Sequence, residues 1–447
     1  MIVMKFGGSS VANAHRIEHV ASIIEKYAEK KPVVVLSAMG DTTDYLLEAA
    51  DAAVKGDVSI LKLEKLHYDT VNELGIEKEP INDLLIELKA LLTGISMIKE
   101  LTKRTRDYLV SFGERLSVRI MSEYLTKKGN PSKFYDAWDI GFISNSSFMN
   151  AELLDEVWDT IPLALNDYKH NIDKEIPVVT GFIAKDKKGN ITTLGRGGSD
   201  LSATMIGAAM GAEEVQTWKD VDGILTADPR IVKDAKTVPV ITYDEAAELA
   251  YFGAQVLHPR AMYPVKKTGT PVRVKNSYNI DSPGSLIVAK HTAKPLPVRA
   301  ITAVKHVQLI DIVSTRMLGA SGFLAHIFNV FLKWDISIDV IATSEVSVSL
   351  TVAGNKNLDG LLEDLNGIAN CTIAKEKAIV TIICDAAHSS SIVGAGLSSL
   401  AKVKINPDII SQGSSKVNIS IVCDMKDVNQ CVQVLHKAHF EISEDKK

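Results

Sequence analysis

From Met1 to about Lys290, short β-rich runs alternate with amphipathic stretches of helical length. IVMKF, PVVVLSA, KFYDAW, IPVVTGFIA, NITTLG and EVQTWKD read as strands. Several are apolar throughout, as expected where helices cover both faces of a mostly parallel sheet. The pattern therefore predicts an α/β layer architecture. Between Asp57 and Arg119 it is almost wholly helical with charges on the polar face, which reads as a helical excursion near one end of the sheet, mostly a solvated cap. NSYNIDSPGSLIVAKHTAKPLPVR is rich in turn residues and prolines and places a domain boundary near Lys290 to Pro297. A repeat follows: ISIDVIATSEVSVSLTV from Ile336 matches INPDIISQGSSKVNISIV from Ile405, and each copy carries a helix, GFLAHIFNVFLKW or VGAGLSSLAKV. Such βαββ units stack edge to edge or face to face.

Composition narrows the function. A length of 447 residues favours two to four domains. With 46% apolar residues, 23% charged residues and a net charge of -5, a nucleic-acid or anionic-membrane surface is disfavoured and small-molecule work is expected. No stretch has the apolar length of a bilayer span, and Lys5 interrupts the start too early for a signal peptide, so a cytoplasmic protein is expected. Cys371, Cys384, Cys423 and Cys431 form no CxxC pair and read as reduced, packed thiols.

Three stretches carry candidate chemistry. In KFGGSS, Lys5 ends a strand and Gly7-Gly8 turns the chain toward Ser9 and Ser10; backbone N–H groups, a helix start and a full charge suit a phosphate, although a plain tight turn would have the same residues. In TTLGRGGSDLSATMIGAAMGA, Arg196 lies between glycines and Ser199-Asp200 opens a small-residue helix. An N-cap explains Ser199 or Asp200, but a guanidinium between glycines suits bidentate capture of a carboxylate. In WKDVDGILTADPRIV, Asp220, Asp222 and Asp228 occupy a loop after a strand, where open α/β sheets bind ligands, and Trp218, Lys219 and Arg230 suit a nucleotide. No GxxxxGK[ST], strand-linked GxGxxG or GxSxG occurs, which points to another kinase fold.

KFGGSSVA, FGERLS, TLGRGGSDLSA, WKDVDGILTADPR, FGAQVLHP and SEVSVSL, in this order, together resemble the aspartate kinase family of the monofunctional, lysine-regulated type. The resemblance implies an amino acid kinase fold, a mostly parallel sheet sandwiched by helices, over residues 1–292 with the excursion at 57–119. Two βαββαβ-like ACT modules follow at 298–375 and 376–447, with strand 298–304 alternatively part of the second. It implies transfer of the γ-phosphoryl of ATP, with Mg2+, to the β-carboxylate of L-aspartate, the first step toward lysine, threonine and methionine. Lys5 then lies over the phosphates and Asp200 organises magnesium and the cations, with no metal ligand directly assigned. Arg196 holds a substrate carboxylate and Glu114 the α-ammonium, with Ser37, Thr43, Phe182 and Ser199 around them. The nucleotide falls to Gly7, Gly8, Ser9, Lys219, Asp220, Leu225, Arg230 and Gln255. Where a lysine-sensitive bacterial relative has Thr-Asp and a lysine, this chain has Lys219-Asp220 and Gln255, so Lys219 is expected to compensate for Gln255 at the phosphates.

The same resemblance places an L-lysine effector at Met317, Gly322, Phe323, Leu324, Ser337, Asp339, Thr343, Ser344 and Glu345, with the family's serine replaced by Ala320. It also implies a homodimer or a dimer of dimers paired through the ACT modules. Two alternatives stand beside this reading: a kinase of the same fold with another acceptor (glutamate, N-acetylglutamate, carbamate or a nucleoside monophosphate), and an inactive amino-acid sensor.

Overall fold

The computed structural model describes residues 1–169, 175–254, 257–291, 296–314, 322–354, 357–413 and 417–441. The chain divides into two compact units: Met1–Ile224, Pro239–Tyr243 and Leu257–Lys290 form the first, and Leu225–Val238, Asp244–Val256 and His291–Lys447 the second.

Strands of the first unit are β1 (Ile2–Phe6), β2 (Pro32–Leu36), β3 (Ser132–Tyr135), β4 (Ile143–Ser144), β5 (Ile176–Thr180), β6 (Ile183–Asp186), β7 (Ile191–Thr193), β8 (Glu214–Lys219), β9 (Val240–Thr242), β10 (Val272–Asn276) and β11 (Ser285–Val288). Helices up to residue 268 are α1 (Ala14–Lys26), α2 (Thr42–Val54), α3 (Leu61–Leu74), α4 (Glu79–Ile98), α5 (Lys103–Lys127), α6 (Val157–Lys169), α7 (Gly198–Ala209), α8 (Tyr243–Tyr251) and α9 (Pro259–Thr268). The main sheet has the order β3-β5-β2-β1-β8-β10-β11-β9 and is parallel from β3 through β10; β4, β6 and β7 form a small second sheet.

β1 and β2 are buried at every position, which explains their unbroken apolar character. Side chains alternate across β1. Ile2, Met4 and Phe6 join the core formed with α1 to α5, and Val3 and Lys5 point to the other face, where α7 packs. The chain leaves β1 toward β2 but leaves β8 toward β10, β11 and β9, so the carboxyl ends of β1 and β8 flank a topological switch point, the usual ligand crevice of such sheets.

Two sequence expectations change. IPVVTGFIA breaks into β5 and β6, because Phe182 adopts a left-handed φ of 68° and turns the chain out of the main sheet; NITTLG likewise supplies β7 of the small sheet. The helical excursion is more than a solvated cap. Leu85, Leu88 and Leu92 of α4 and Leu109, Phe112 and Leu116 of α5 belong to the main core.

The second unit contains β12 (Val298–Val313), β13 (Ile338–Thr343), β14 (Ser347–Ala353), β15 (Asn370–Cys384), β16 (Ile409–Ser411) and β17 (Asn418–Asp424), with α10 (Phe323–Lys333), α11 (Asp359–Asn366), α12 (Ser389–Lys402) and α13 (Val428–His436). They build one sheet of order β13-β14-β12-β15-β17-β16. β12 and β15 pair antiparallel from Val298↔Cys384 to Val313↔Asn370. Each therefore runs through both halves: Ile310 and Ile312 pack with α10 and α11, whereas Val298 and Ile301 pack with α12 and α13. The two inserted stretches join this unit through buried polar pairs. Glu245 of α8 meets Arg299 at 3.1 Å and His291 at 3.0 Å, and Thr226 meets His436 at 3.0 Å. Cys384, Cys423 and Cys431 are buried thiols. No described helix is long and apolar enough to cross a membrane.

Candidate active site

A cavity of about 510 Å³ opens at the switch point of the first unit. It is lined by Lys5, Gly8, Ser37, Thr43, Glu114, Phe182, Arg196, Ser199 and Asp200, with Ala38, Gly40, Gly195, Gly197 and Gly198 between them. Five separate stretches of sequence thus converge. The loops after β1 and β2 are tied together by Ser37 N–H donating to Phe6 O at 3.2 Å and Gly40 N–H donating to Gly8 O at 3.0 Å.

Lys5 Nζ and Asp200 Oδ1 form an ion pair of 2.7 Å, each side chain 11% exposed. Strand alternation aims Lys5 at α7, and Asp200 stands in the first turn of that helix, where a carboxylate complements the helix dipole. α7 approaches the sheet closely: a Cβ on Gly207 would lie 2.2 Å from Val215 Cγ2, so the small-residue run is a packing requirement. Burial pushes the Asp200 carboxyl up, but Lys5 and then Lys219 outweigh it and hold the carboxyl below its usual range. Burial also lowers the Lys219 ammonium, with the like charge of Lys5 adding to the effect and Asp200 and Asp220 opposing it. Lys5 and Lys219 thus both face the buried Asp200, and two ammonium groups there suit phosphate oxygens.

Glu114 of α5 lines the same cavity. Burial pushes its carboxyl up to about 8. The Ala38 N–H donates to Oε1 at 3.2 Å, while Oε2 has no hydrogen-bond partner among the described residues. An orphaned buried acceptor is costly unless a ligand supplies the donor, and an ammonium would.

The remaining sequence-predicted residues divide. Gly7 and Ser9 flank Gly8 in the turn after β1, and Asp220 follows β8. Leu225 and Arg230 belong to the second unit, where Asp228 holds the Arg230 guanidinium at 2.7 Å. Gln255 lies outside the described residues, so the expected Lys219–Gln255 exchange has no geometry here. Sequence reasoning missed His258. It caps α9 by accepting from Arg260 N–H at 3.3 Å and packs under Gly197, whose φ is 75° and whose added Cβ would lie 2.2 Å from His258 Cβ. The His-Pro pair at a helix start was the available signal.

In the second unit, Gly322 precedes α10, Phe323 packs on the core of that half and Leu324 is 39% exposed. Ser337 precedes β13, which carries Asp339 and ends at Thr343; Ser344 and Glu345 form the turn to β14. The Ser344 and Ser347 hydroxyls meet at 2.7 Å. Burial raises the Asp339 carboxyl, opposed by the Tyr251 hydroxyl, which donates to it at 3.2 Å. Asp339 also lines a cavity of about 300 Å³ with Tyr251, Phe252 and His306. Met317 and Ala320 lie outside the described residues.

The amino acid kinase family model matches residues 1–276 and an ACT domain model matches residues 385–439. Over 98% of this chain and 80% of the relative, the sequence is 48% identical to chloroplastic aspartokinase 1 of Arabidopsis thaliana. It is 32% identical to the lysine-sensitive aspartokinase 3 of Escherichia coli over 99% of both chains. The crystal structure of E. coli aspartokinase III in complex with aspartate and ADP superimposes with a TM-score of 0.81 at 29% identity, covering 98% of this chain and 100% of that one.

Proposed function

The chain belongs to the aspartokinases, enzymes of the amino acid kinase family, and from that premise we propose that it transfers the γ-phosphoryl group of ATP to the β-carboxylate of L-aspartate, giving 4-phospho-L-aspartate for lysine, threonine and methionine synthesis. One observation carries the reading: a buried Lys5–Asp200 pair and a buried Glu114, one oxygen of which has no partner among the described residues, face one cavity that Arg196 also lines. Glu114 takes the α-ammonium, Arg196 takes the α-carboxylate, and the remaining carboxylate is presented to the phosphate end with Ser37, Thr43, Phe182 and Ser199 around it. Opposite charges on the two groups of the α-carbon orient a small zwitterion before reaction.

Phosphoryl transfer asks mainly for positioning and charge neutralisation, so no side-chain nucleophile is needed. The acceptor carboxylate attacks, the γ-phosphorus bond to the bridging oxygen breaks, and ADP leaves with that electron pair. Lys5 and Lys219 stabilise the charge on the phosphoryl oxygens, and the Gly7-Gly8-Ser9 turn offers backbone N–H groups. Asp220, directly after β8, adds to the nucleotide contacts, and the family resemblance alone extends that role to Leu225, Arg230 and Gln255. Asp200 is the carboxylate that would hold Mg2+, which would supply charge neutralisation at the phosphates.

The proposal extends to regulation. L-lysine inhibits through two ACT modules, 298–375 and 376–447, with strand 298–304 as part of the second, following a catalytic domain over 1–292, and the assembly is a homodimer or dimer of dimers in the cytoplasm. Asp339 and Glu345 provide negative charge for a ligand with two ammonium groups, and a relative of similar length carries the name lysine-sensitive. The test is ADP release from Mg-ATP with L-aspartate, L-glutamate or no acceptor, each with and without L-lysine. Aspartate-dependent release that lysine suppresses is expected; turnover with glutamate alone would overturn the acceptor, and turnover indifferent to lysine would overturn the effector.

A further inference from the structure

A second cavity, of about 500 Å³, lies within the first unit and shares no lining residue with the candidate active site. α4 supplies Glu87, α5 supplies Arg104, Tyr108 and Arg115, the turn after β3 supplies Trp138, and β6 supplies Lys185. The α5 residues are spaced four and seven apart, which puts all three on one face of the helix. Glu114, one position before Arg115, is turned about 100° away and lines the active-site cavity instead.

The charges of this cavity do not balance. Glu87 is the one acid among the described lining residues, and it is already engaged: the Tyr108 hydroxyl donates to Oε1, and Arg115 Nη2 donates to Oε2 at 3.5 Å. Arg115 Nε also lies 3.4 Å from Asp136 Oδ2, a carboxylate that Arg119 bonds at 3.2 and 3.4 Å. Arg104 and Lys185 are left with no ion pair among the described residues. Lys185 Nζ sits 4.1 Å from the centre of the Trp138 ring, which holds the ammonium in place without neutralising it. Asp139 feels that charge, but its carboxylate accepts from Asp136 N–H at 3.1 Å. Arg104 stands in the first turn of a 25-residue helix that has no acid there. Cations at a helix N-terminus oppose its dipole, and a bound anion offsets both.

We propose that this cavity is a binding site for a planar organic anion, a carboxylate or phosphate carried on a flat ring system, with the anion drawn to Arg104 and Lys185 and the ring against Trp138 and Tyr108. Two features set that class. The unpaired cations call for negative charge, and a volume of about 500 Å³ with aromatic walls is far more than an inorganic ion fills and is in the range of small-molecule sites. The assignment is independent of the acceptor reading, because it uses none of the residues placed around aspartate or ATP.

The experiment uses the full-length protein with Mg-ADP and L-aspartate in excess, so that the candidate active site is filled. Anilinonaphthalene sulfonate, a flat fluorescent anion, is titrated beside phenylnaphthylamine, its uncharged analogue. The proteins compared are the wild type, Arg104→Gln, the Arg104→Gln/Lys185→Gln double variant, and Lys188→Gln, which removes a cation of the same hairpin that does not line the cavity. The wild type should bind one sulfonate probe per chain. Arg104→Gln should weaken that binding about threefold and the double variant roughly tenfold, the scale of one and two partly exposed ion pairs. Sulfonate binding to Lys188→Gln, and binding of the uncharged probe to every variant, should stay within about twofold of wild type on the same scale. Both replaced side chains lack ion pairs, so equal thermal midpoints are expected. Unchanged sulfonate binding in the double variant overturns the site, as does a wild type that binds no sulfonate with Mg-ADP present. An equal loss of the uncharged probe overturns it as a change of cavity shape, and an equal loss in Lys188→Gln overturns it as general surface charge.

Discussion

Glu114 offers the sharpest test of the site because its ionisation and its proposed task conflict. Burial holds its carboxyl near 8, so at pH 7 about one free molecule in ten carries the charge that an α-ammonium needs. Capturing that minority state costs about 1.4 kcal/mol, a factor of about ten in apparent affinity, and each further pH unit below 7 adds about 1.4 kcal/mol, another factor of ten. As pH rises from 6 to 8, kcat/KM for aspartate should therefore climb about fiftyfold and then level off within about a further twofold. KM for ATP should hardly move over the same range. Glu114→Gln keeps the shape and removes the titration, so its aspartate kcat/KM should be low and flat. Steady-state ADP release at saturating Mg-ATP reads both. A wild-type profile without this rise, or a Gln variant that retains it, would refute the role of Glu114. The same shift has a stability consequence. A carboxyl raised above its unfolded pKa binds more protons in the folded state, so stability falls as pH rises from the unfolded value to about 8, by the sign of the proton linkage. Glu114→Gln should raise the thermal midpoint at pH 8 and change it little at pH 4.

Further predictions concern other parts of the molecule. Lys5→Met should lower kcat by about three orders of magnitude, the scale of losing one transition-state charge contact, with an unchanged circular dichroism spectrum; retained turnover would remove Lys5 from the chemistry. Lys219→Ala should raise KM for ATP and leave KM for aspartate near wild type, and an unchanged ATP KM would end the idea that Lys219 compensates for Gln255. Gly197→Ala forces a Cβ to within 2.2 Å of His258 Cβ at a φ of 75°, so activity should be lost with a destabilisation of about 1–3 kcal/mol, measured by urea unfolding. Glu345→Lys should relieve lysine inhibition at near-normal kcat; full lysine sensitivity in that variant would mean the effector site is elsewhere.

The catalytic stretches were readable from the chain because their chemistry is local. A lysine before Gly7-Gly8, and an arginine between glycines before Ser199-Asp200, each announce a phosphate- or carboxylate-binding turn whose geometry depends on a few consecutive residues. The α/β class was readable for a similar reason: strands buried on both faces must be apolar at every position, and β1 and β2 are. Elements governed by distant partners were not. Phe182 breaks one apolar run into two strands because of a single backbone conformation, and no periodicity records that. β12 and β15 serve both halves of the second unit, since pairing over such sequence separation is chosen by packing. Asp107 looks like an ordinary helix surface charge until Thr193 of β7 is brought against it. Sequence alone thus determined the kinds of groups and the turns that present them. Their spacing, their burial and the resulting displacement of Glu114 toward neutrality arose from long-range packing, because desolvation depends on everything that surrounds a group and not on its neighbours in the chain.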